Sequence, residues 1–274
     1  MKRIKLVLST FNYEDASLAL SLHDFFEFEF YEDKEHPEII FYNLDDKDIS
    51  TLKTIFGEQI IDISIDEIDS SSFENNWINF FEPININDKL LVKLSEQNCP
   101  DNINADYIIN IESTRGFGTG SHATTYLCLQ YLAEIFSTTT PTNMLDIGTG
   151  SGILAMYGSM SGINEIYATD IDDNAIEAAN INLKTNLIEN VHLSNVEIDK
   201  ITGSYELITA NILSGIIESN WHTIKKLATP NATLILSGIL KDEVPEFIKK
   251  LDISEHEVKF KDDWAAIKIT FYNI

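Results

Sequence analysis

Only two of the 274 residues are cysteines, Cys99 and Cys128, and only six are prolines. Two thiols give no disulfide framework and no cysteine-rich cluster, and the six histidines fall without ligand spacing, so no metal site is expected. Runs of membrane-spanning length are missing as well, which leaves no candidate transmembrane helix. Met1-Lys2-Arg3 leads into a strand-like stretch instead of a secretory leader. Basic residues are few: 19 Lys and Arg stand against 44 Asp and Glu, a net charge of −25. Such a surface repels a phosphate backbone, so no direct nucleic-acid substrate is expected, whereas a basic protein would be attracted. Solubility alone would also account for the excess. What remains is a cytoplasmic, soluble chain that is 44% hydrophobic, long enough for one large domain or two smaller ones.

The most informative stretch is N-M-L-D-I-G-T-G-S-G-I-L-A at residues 143–155. Met144, Leu145 and Ile147 read as a short buried strand around Asp146. Gly148, Gly150 and Gly152 allow sharp turning and close backbone approach to a ligand. An apolar run from Ile153 then begins a helix whose first N–H groups face that ligand. A dinucleotide-binding turn wants its third glycine where this chain has Ile153. The G-x-G-x-G spacing suits a nucleoside with a charged amino-acid tail better than a pyrophosphate. Asp170, twenty-two positions after Gly148, closes the apolar run 166–169 and is placed at a strand tip to accept ribose hydroxyls. These residues resemble the glycine motif and acidic partner of class I S-adenosylmethionine-dependent methyltransferases. A glycine-rich turn in another α/β protein is the plainer reading of the first motif alone.

Residues 1–69 form a unit by pattern. Strands are expected near 4–9, 28–30, 38–43 and 61–65, the last from Ile61, Ile63 and Ile65 alternating with polar residues. Helices are expected over 15–26, with Leu18, Leu22, Phe25 and Phe26 on one face, and over 48–57. The order β-α-β-β-α-β is that of the ferredoxin-like split unit, without a catalytic constellation. Phe73, Trp77, Phe80 and Phe81 follow at helical spacing and predict a linker helix over 70–82, ended by Pro83. Residues 83–274 then hold the glycine motif. Strands are expected at 90–94 and 107–111, at 205–210 running into Asn211-Ile212-Leu213, and at 233–236. Asp173 is the expected cap of a helix to about Lys184, and the tail reads as a hairpin turning at Asp262-Asp263.

A second glycine-rich stretch, R-G-F-G-T-G-S-H-A-T-T, covers 115–125 and feeds a helix over 126–136. Thr124 and Thr125 fall in its first turn, where a hydroxyl either caps the helix or meets a ligand.

Taken in order, F-G-T-G-S-H-A-T-T, L-D-I-G-T-G-S-G-I-L-A, A-T-D-I-D, A-N-I-L and L-S-G-I-L resemble the ribosomal protein L11 methyltransferases over nearly the whole chain. The resemblance implies a Rossmann-like seven-stranded sheet behind a small ferredoxin-like domain. It also implies S-adenosylmethionine as methyl donor, and lysine side-chain and N-terminal amines of ribosomal protein L11 as acceptors. Cofactor contacts are implied at Thr125, Gly148, Asp170 and Asn211, with Gly150 and Thr119 in the same motifs. The N-terminal domain is implied to grip the substrate and swing on the linker. Ala123 departs from the family's usual proline, and Arg115 sets a cation near a pocket for a sulfonium. Isoleucine and leucine after Asn211, in place of a Pro-Pro-aromatic run, argue against adenine and release-factor glutamine as acceptors. No general base is expected. His122 is open as a base or as a structural loop residue. Two alternatives stay open: a lysine methyltransferase for another basic protein, and a non-catalytic module that binds the cofactor. Oligomeric state is not legible, though a monomer is the simplest expectation.

Overall fold

A computed structural model describes residues 2–10, 16, 19–20, 29–31, 36–42, 44, 46–67, 83–100, 103–112 and 122–271. The chain separates into two compact units, residues 1–79 and 80–274. The expected linker helix over 70–82 lies outside the described residues, as do Leu18, Leu22, Phe25 and Phe26.

In the N-terminal unit four strands, β1 (Lys2–Leu8), β2 (Glu29–Tyr31), β3 (Glu38–Tyr42) and β4 (Ile60–Glu67), pair in the order β2-β3-β1-β4, antiparallel throughout. That is the order the split β-α-β unit requires. Ile4, Leu6 and Leu8 share one face of β1 because strand side chains alternate. They pack with Ile39 and Phe41 of β3, and with Ile49, Leu52 and Phe56 of helix α1 (Asp46–Phe56). The alternation in β4 is weaker than its sequence suggests. Ile60 and Ile63 pack on this core, but Ile61 and Ile65 keep 51% of their surface exposed at the sheet edge.

The larger unit opens with a three-stranded sheet, β5 (Ile84–Ile86), β6 (Leu90–Leu94) and β7 (Tyr107–Ile111). Asn87 and Asp88 both take positive φ (52° and 55°) in the three-residue connection between β5 and β6, where the Lys89 N–H donates to the Ile86 carbonyl at 2.9 Å. Next come α2 (Ala123–Phe136), β8 (Asn143–Ile147), α3 (Ile153–Met160), β9 (Glu165–Thr169), α4 (Asp173–Thr185) and β10 (Val191–Ser194). They are followed by β11 (Tyr205–Asn211), α5 (Ser214–Leu227), β12 (Ala228–Leu240), α6 (Val244–Lys250), β13 (Glu257–Lys261) and β14 (Trp264–Thr270).

The seven-stranded sheet has the order β10-β9-β8-β11-β12-β14-β13. The first five strands are parallel, and β14 runs antiparallel between β12 and β13. Strands of a sheet covered on both faces read as continuous apolar runs. Leu234, Ile235 and Leu236 of β12, for example, are all fully buried. From β8 the chain winds outward to β9 and β10, then returns to place β11 on the other flank of β8. This reversal opens a crevice at the carboxyl ends of β8 and β11, the place where ligands bind in open α/β sheets.

Several boundaries shift by one to three residues from expectation, and two differences have a visible cause. The cap of α4 is Asp172, whose carboxylate accepts from the Asn174 N–H, so Asp173 is the first helical residue. Strand β12 starts at Ala228 and extends to Leu240, because Tyr205 still pairs with Ala228 across a register shift. No described helix is long and apolar enough to cross a membrane.

Candidate functional site

Three chain segments converge on the crevice. After β8 the loop of residues 148–152 turns on three glycines with positive φ, of which Gly148 is at 70°. The N–H groups of Gly148 and Thr149 donate to the Thr169 carbonyl at 2.8 and 2.9 Å, which docks the loop against the end of β9. Gly152 caps α3 without any side-chain hydrogen bond. The first-turn N–H groups of α3 are thus the donors an anionic group would meet.

Asp170 follows β9 directly. Its Oδ2 accepts from the Gly150 N–H at 3.0 Å and its Oδ1 from the Asp172 N–H at 3.1 Å. A carboxylate offers about four lone-pair sites, so both oxygens retain capacity for a further donor pair such as vicinal hydroxyls.

Asn211 ends β11, and its Nδ2 donates to Oγ1 of Thr125 at 3.3 Å. Thr125 is buried in the first turn of α2, so its hydroxyl holds the amide and does not cap the helix. The cap is His122: Nδ1 accepts from the Thr124 N–H at 3.4 Å and meets the Thr124 hydroxyl at 2.8 Å. The imidazole packs edge-on against Trp264 with centroids 5.0 Å apart, and burial lowers its pKa against a smaller opposing pull from Asp262. His122 is a helix cap in an aromatic setting.

The turn after Asn211 is gripped from two sides. A β-carbon on Gly238, in β12, would lie 2.1 Å from the Ile212 carbonyl oxygen, an approach only glycine permits. Beneath the glycine loop, Asp146 is fully buried. Its two oxygens accept from the hydroxyls of Thr209 at 2.6 Å and Thr149 at 2.7 Å. Burial is the main cause of a pKa pushed up to about 6; the two hydroxyls oppose the rise and the Asp170 charge adds to it. Asp146 therefore ties β8, β11 and the glycine loop together. The sequence motif contains both it and Thr149, but the Thr209 partner depends on a sheet register that no local pattern shows.

Of the six positions expected to contact a ligand, Gly150 bonds Asp170, Asn211 bonds Thr125, and Gly148 lies between the Thr169 carbonyl and the turn after Asn211. Thr119 and Arg115 lie outside the described residues. Among the described residues, no group of three or more His, Cys, Asp or Glu side chains is placed to hold a metal. Cys128 is buried and its thiol is pushed well above the usual range, while Cys99 is exposed and free.

Comparison with known proteins agrees with this fold. The family model for ribosomal protein L11 methyltransferase (PrmA) matches residues 10–271. A ribosomal protein L11 methyltransferase of Thermoanaerobacter pseudethanolicus is 30% identical over 218 residues, 77% of this chain and 70% of that protein. Another, of Dictyoglomus turgidum, is 31% identical over 225 residues, 81% of this chain and 74% of its own length. Among solved structures, a ribosomal protein L11 methylase from Lactobacillus delbrueckii subsp. bulgaricus is similar with a TM-score of 0.64 and 25% identity. That likeness covers 70% of this chain and 100% of the other.

Proposed function

The chain belongs to the ribosomal protein L11 methyltransferase family, an S-adenosylmethionine-dependent class, and on that premise we propose its substrate and the residues that serve it. The acceptors are lysine side-chain and N-terminal amino groups of ribosomal protein L11. Gly148, Gly150, Asp170, Asn211 and Thr125 hold the cofactor, together with Thr119 of the second glycine stretch. The observation that carries this reading is the Gly150–Asp170 contact at the sheet's reversal point, beside a glycine turn whose backbone a ligand can approach. A carboxylate with spare lone pairs and an uncapped helix start fit a ribose and an amino-acid carboxylate, respectively.

When bound, S-adenosylmethionine supplies an electrophilic methyl group on a sulfonium sulfur. The chain's own task is to present a neutral amine to it. A free lysine titrates near about 10.4, so its deprotonation at pH 7 costs roughly 4–5 kcal/mol. Desolvation in the crevice and a neighbouring positive charge both lower an amine pKa, which offsets that cost without a dedicated base. Asn211, with its nitrogen engaged by Thr125, presents its side-chain oxygen to an amine N–H. Positioning of this kind converts a bimolecular encounter into an oriented one. The net charge of −25 draws a basic protein toward the site. The N-terminal unit, which offers no catalytic cluster among its described residues, takes the role of substrate recognition.

The test is methyl transfer from labelled S-adenosylmethionine to purified ribosomal protein L11, followed by intact mass. Mass gains in methyl steps that vanish with Asp170→Ala support the proposal. Cofactor binding without any gain on L11 would overturn the acceptor assignment and direct attention to other basic proteins.

A further inference from the structure

Asn182 in the last turn of helix α4 and Asn186, its C-cap, lie one turn apart, and both turn toward the end of β7. Asparagine is a poor helix former, and a fully buried amide is costly unless every polar atom is paired. Asn182 is 0% exposed, so its position in the helix has a physical reason. Asn186 holds the Asn110 backbone at both ends: its Oδ1 accepts from the Asn110 N–H at 2.9 Å, and its Nδ2 donates to the Asn110 carbonyl at 2.7 Å, as well as to the Asn182 carbonyl at 2.8 Å and the Met156 sulfur at 3.5 Å. Asn182 instead divides its amide. Its Oδ1 accepts from the Glu112 N–H at 2.9 Å, and its Nδ2 donates to the Ser151 carbonyl at 2.9 Å.

Ser151 is almost completely buried and sits between Gly150, whose N–H reaches Asp170, and Gly152, which caps α3. The Ser151–Gly152 peptide is thus the hinge on which both the carboxylate contact and the helix start depend. Glu112 is itself held, its Oε1 accepting from Ser95 at 2.9 Å and from Thr185 at 2.8 Å. The small sheet and α4 form a braced frame, and Asn182 is the link from that frame to the glycine loop.

We propose that Asn182 is a positioning residue for the cofactor: its side-chain amide fixes the Ser151–Gly152 peptide, and so sets the loop geometry that S-adenosylmethionine requires. Sites are held to working tolerance by such supporting hydrogen bonds, and loosening them weakens binding without removing any direct contact. The inference rests on the reading that the cofactor lies over the glycine loop and Asp170.

Asn186 supplies the control, since it braces the same helix against the end of β7 and meets α3 only at the Met156 sulfur, with no bond to the loop of residues 148–152. In the full chain, Asn182→Ala and Asn186→Ala are compared by thermal melting without cofactor and by calorimetric titration with S-adenosylmethionine. Rates with ribosomal protein L11 complete the comparison. Both variants should lose melting temperature, because each gives up bonds to β7. Only Asn182→Ala should lose cofactor affinity, by about tenfold, with KM for the cofactor raised and KM for the protein substrate unchanged. Asn182→Leu keeps most of the volume at this buried position and removes both the acceptor for Glu112 and the donor to Ser151. It should bind the cofactor as weakly as the alanine variant, and it serves if that variant does not fold. Equal affinity losses in both alanine variants, or none in either, would overturn the proposal. A wild-type chain that binds no S-adenosylmethionine would instead overturn the reading beneath it.

Discussion

Gly148 faces Ile212 so closely that a β-carbon on the glycine would lie 2.1 Å from Cγ2 of the isoleucine. The glycine is also at φ 70°, where an L side chain is strained. Gly148→Ala should therefore cost about 1–2 kcal/mol in backbone strain and a further 1–3 kcal/mol or so in overpacking. Urea denaturation should show this loss, and titration should show the cofactor no longer bound. Ile212→Ala removes core packing of its own, so a double-mutant cycle isolates the clash: the two changes together should cost less than the sum of each alone. Strictly additive losses would rule out the contact as a cause.

Asp146 sets a pH dependence whose sign follows from its burial. Its folded pKa of about 6 lies above the ordinary 3.8, so the folded chain holds that proton more tightly than the unfolded one. The protonated carboxyl costs nothing below 3.8. Stability then falls as pH rises toward 6, and the loss, about 3 kcal/mol, is complete above it. Asp146→Asn cannot ionise and should escape this loss. The variant's stability relative to wild type should improve between about pH 4 and about pH 7 and stay level beyond. Parallel denaturation profiles for the two proteins would show that Asp146 does not titrate in this range.

Thr125→Val keeps the shape of a buried side chain and removes the acceptor that engages Asn211. The fold should persist, as read by circular dichroism. The turnover number for methyl transfer should drop by about tenfold, because the amide loses its orientation. Unchanged turnover would remove Asn211 orientation from the mechanism.

At the end of α4 the Leu187 N–H bonds to the Lys184 carbonyl and the Ile188 N–H to the Leu183 carbonyl, a helix stop that prefers glycine at its left-handed position. Here that position is Leu187, at φ 57° and 89% exposed. Leu187→Gly should relieve strain that exceeds the added freedom of the unfolded chain, a net gain of about 1 kcal/mol. A rise in melting temperature of about 2–4 °C is expected, measured by calorimetry; a decrease would mean that the leucine packs in solution.

The parallel strands of the large sheet are legible because strands buried on both faces are uninterrupted apolar runs, as at Leu234, Ile235 and Leu236 of β12. The glycine loop and Asp170 were legible for a different reason: a turn with positive φ needs glycine, and the spacing to the next strand tip is set by one helix. The cap of α4 was misplaced by one residue, since Asp172 and Asp173 have the same capping chemistry and only the backbone angles separate them. Ile61 and Ile65 lie on the edge strand β4, and alternation does not report where a strand falls in its sheet. Contacts such as Asn182 to Ser151 and Thr209 to Asp146 join side chains to partners 31 and 63 residues away, with no periodic trace.

Strand β14 lies between β12 and β13, although it follows both in sequence. While the chain is being made, β12 must therefore wait with one apolar edge open until residues 264–270 have emerged. An open edge of this kind invites pairing with other chains. Chaperone demand during synthesis should accordingly centre on the interval between β12 and β14, well after the cofactor-facing loops have been translated.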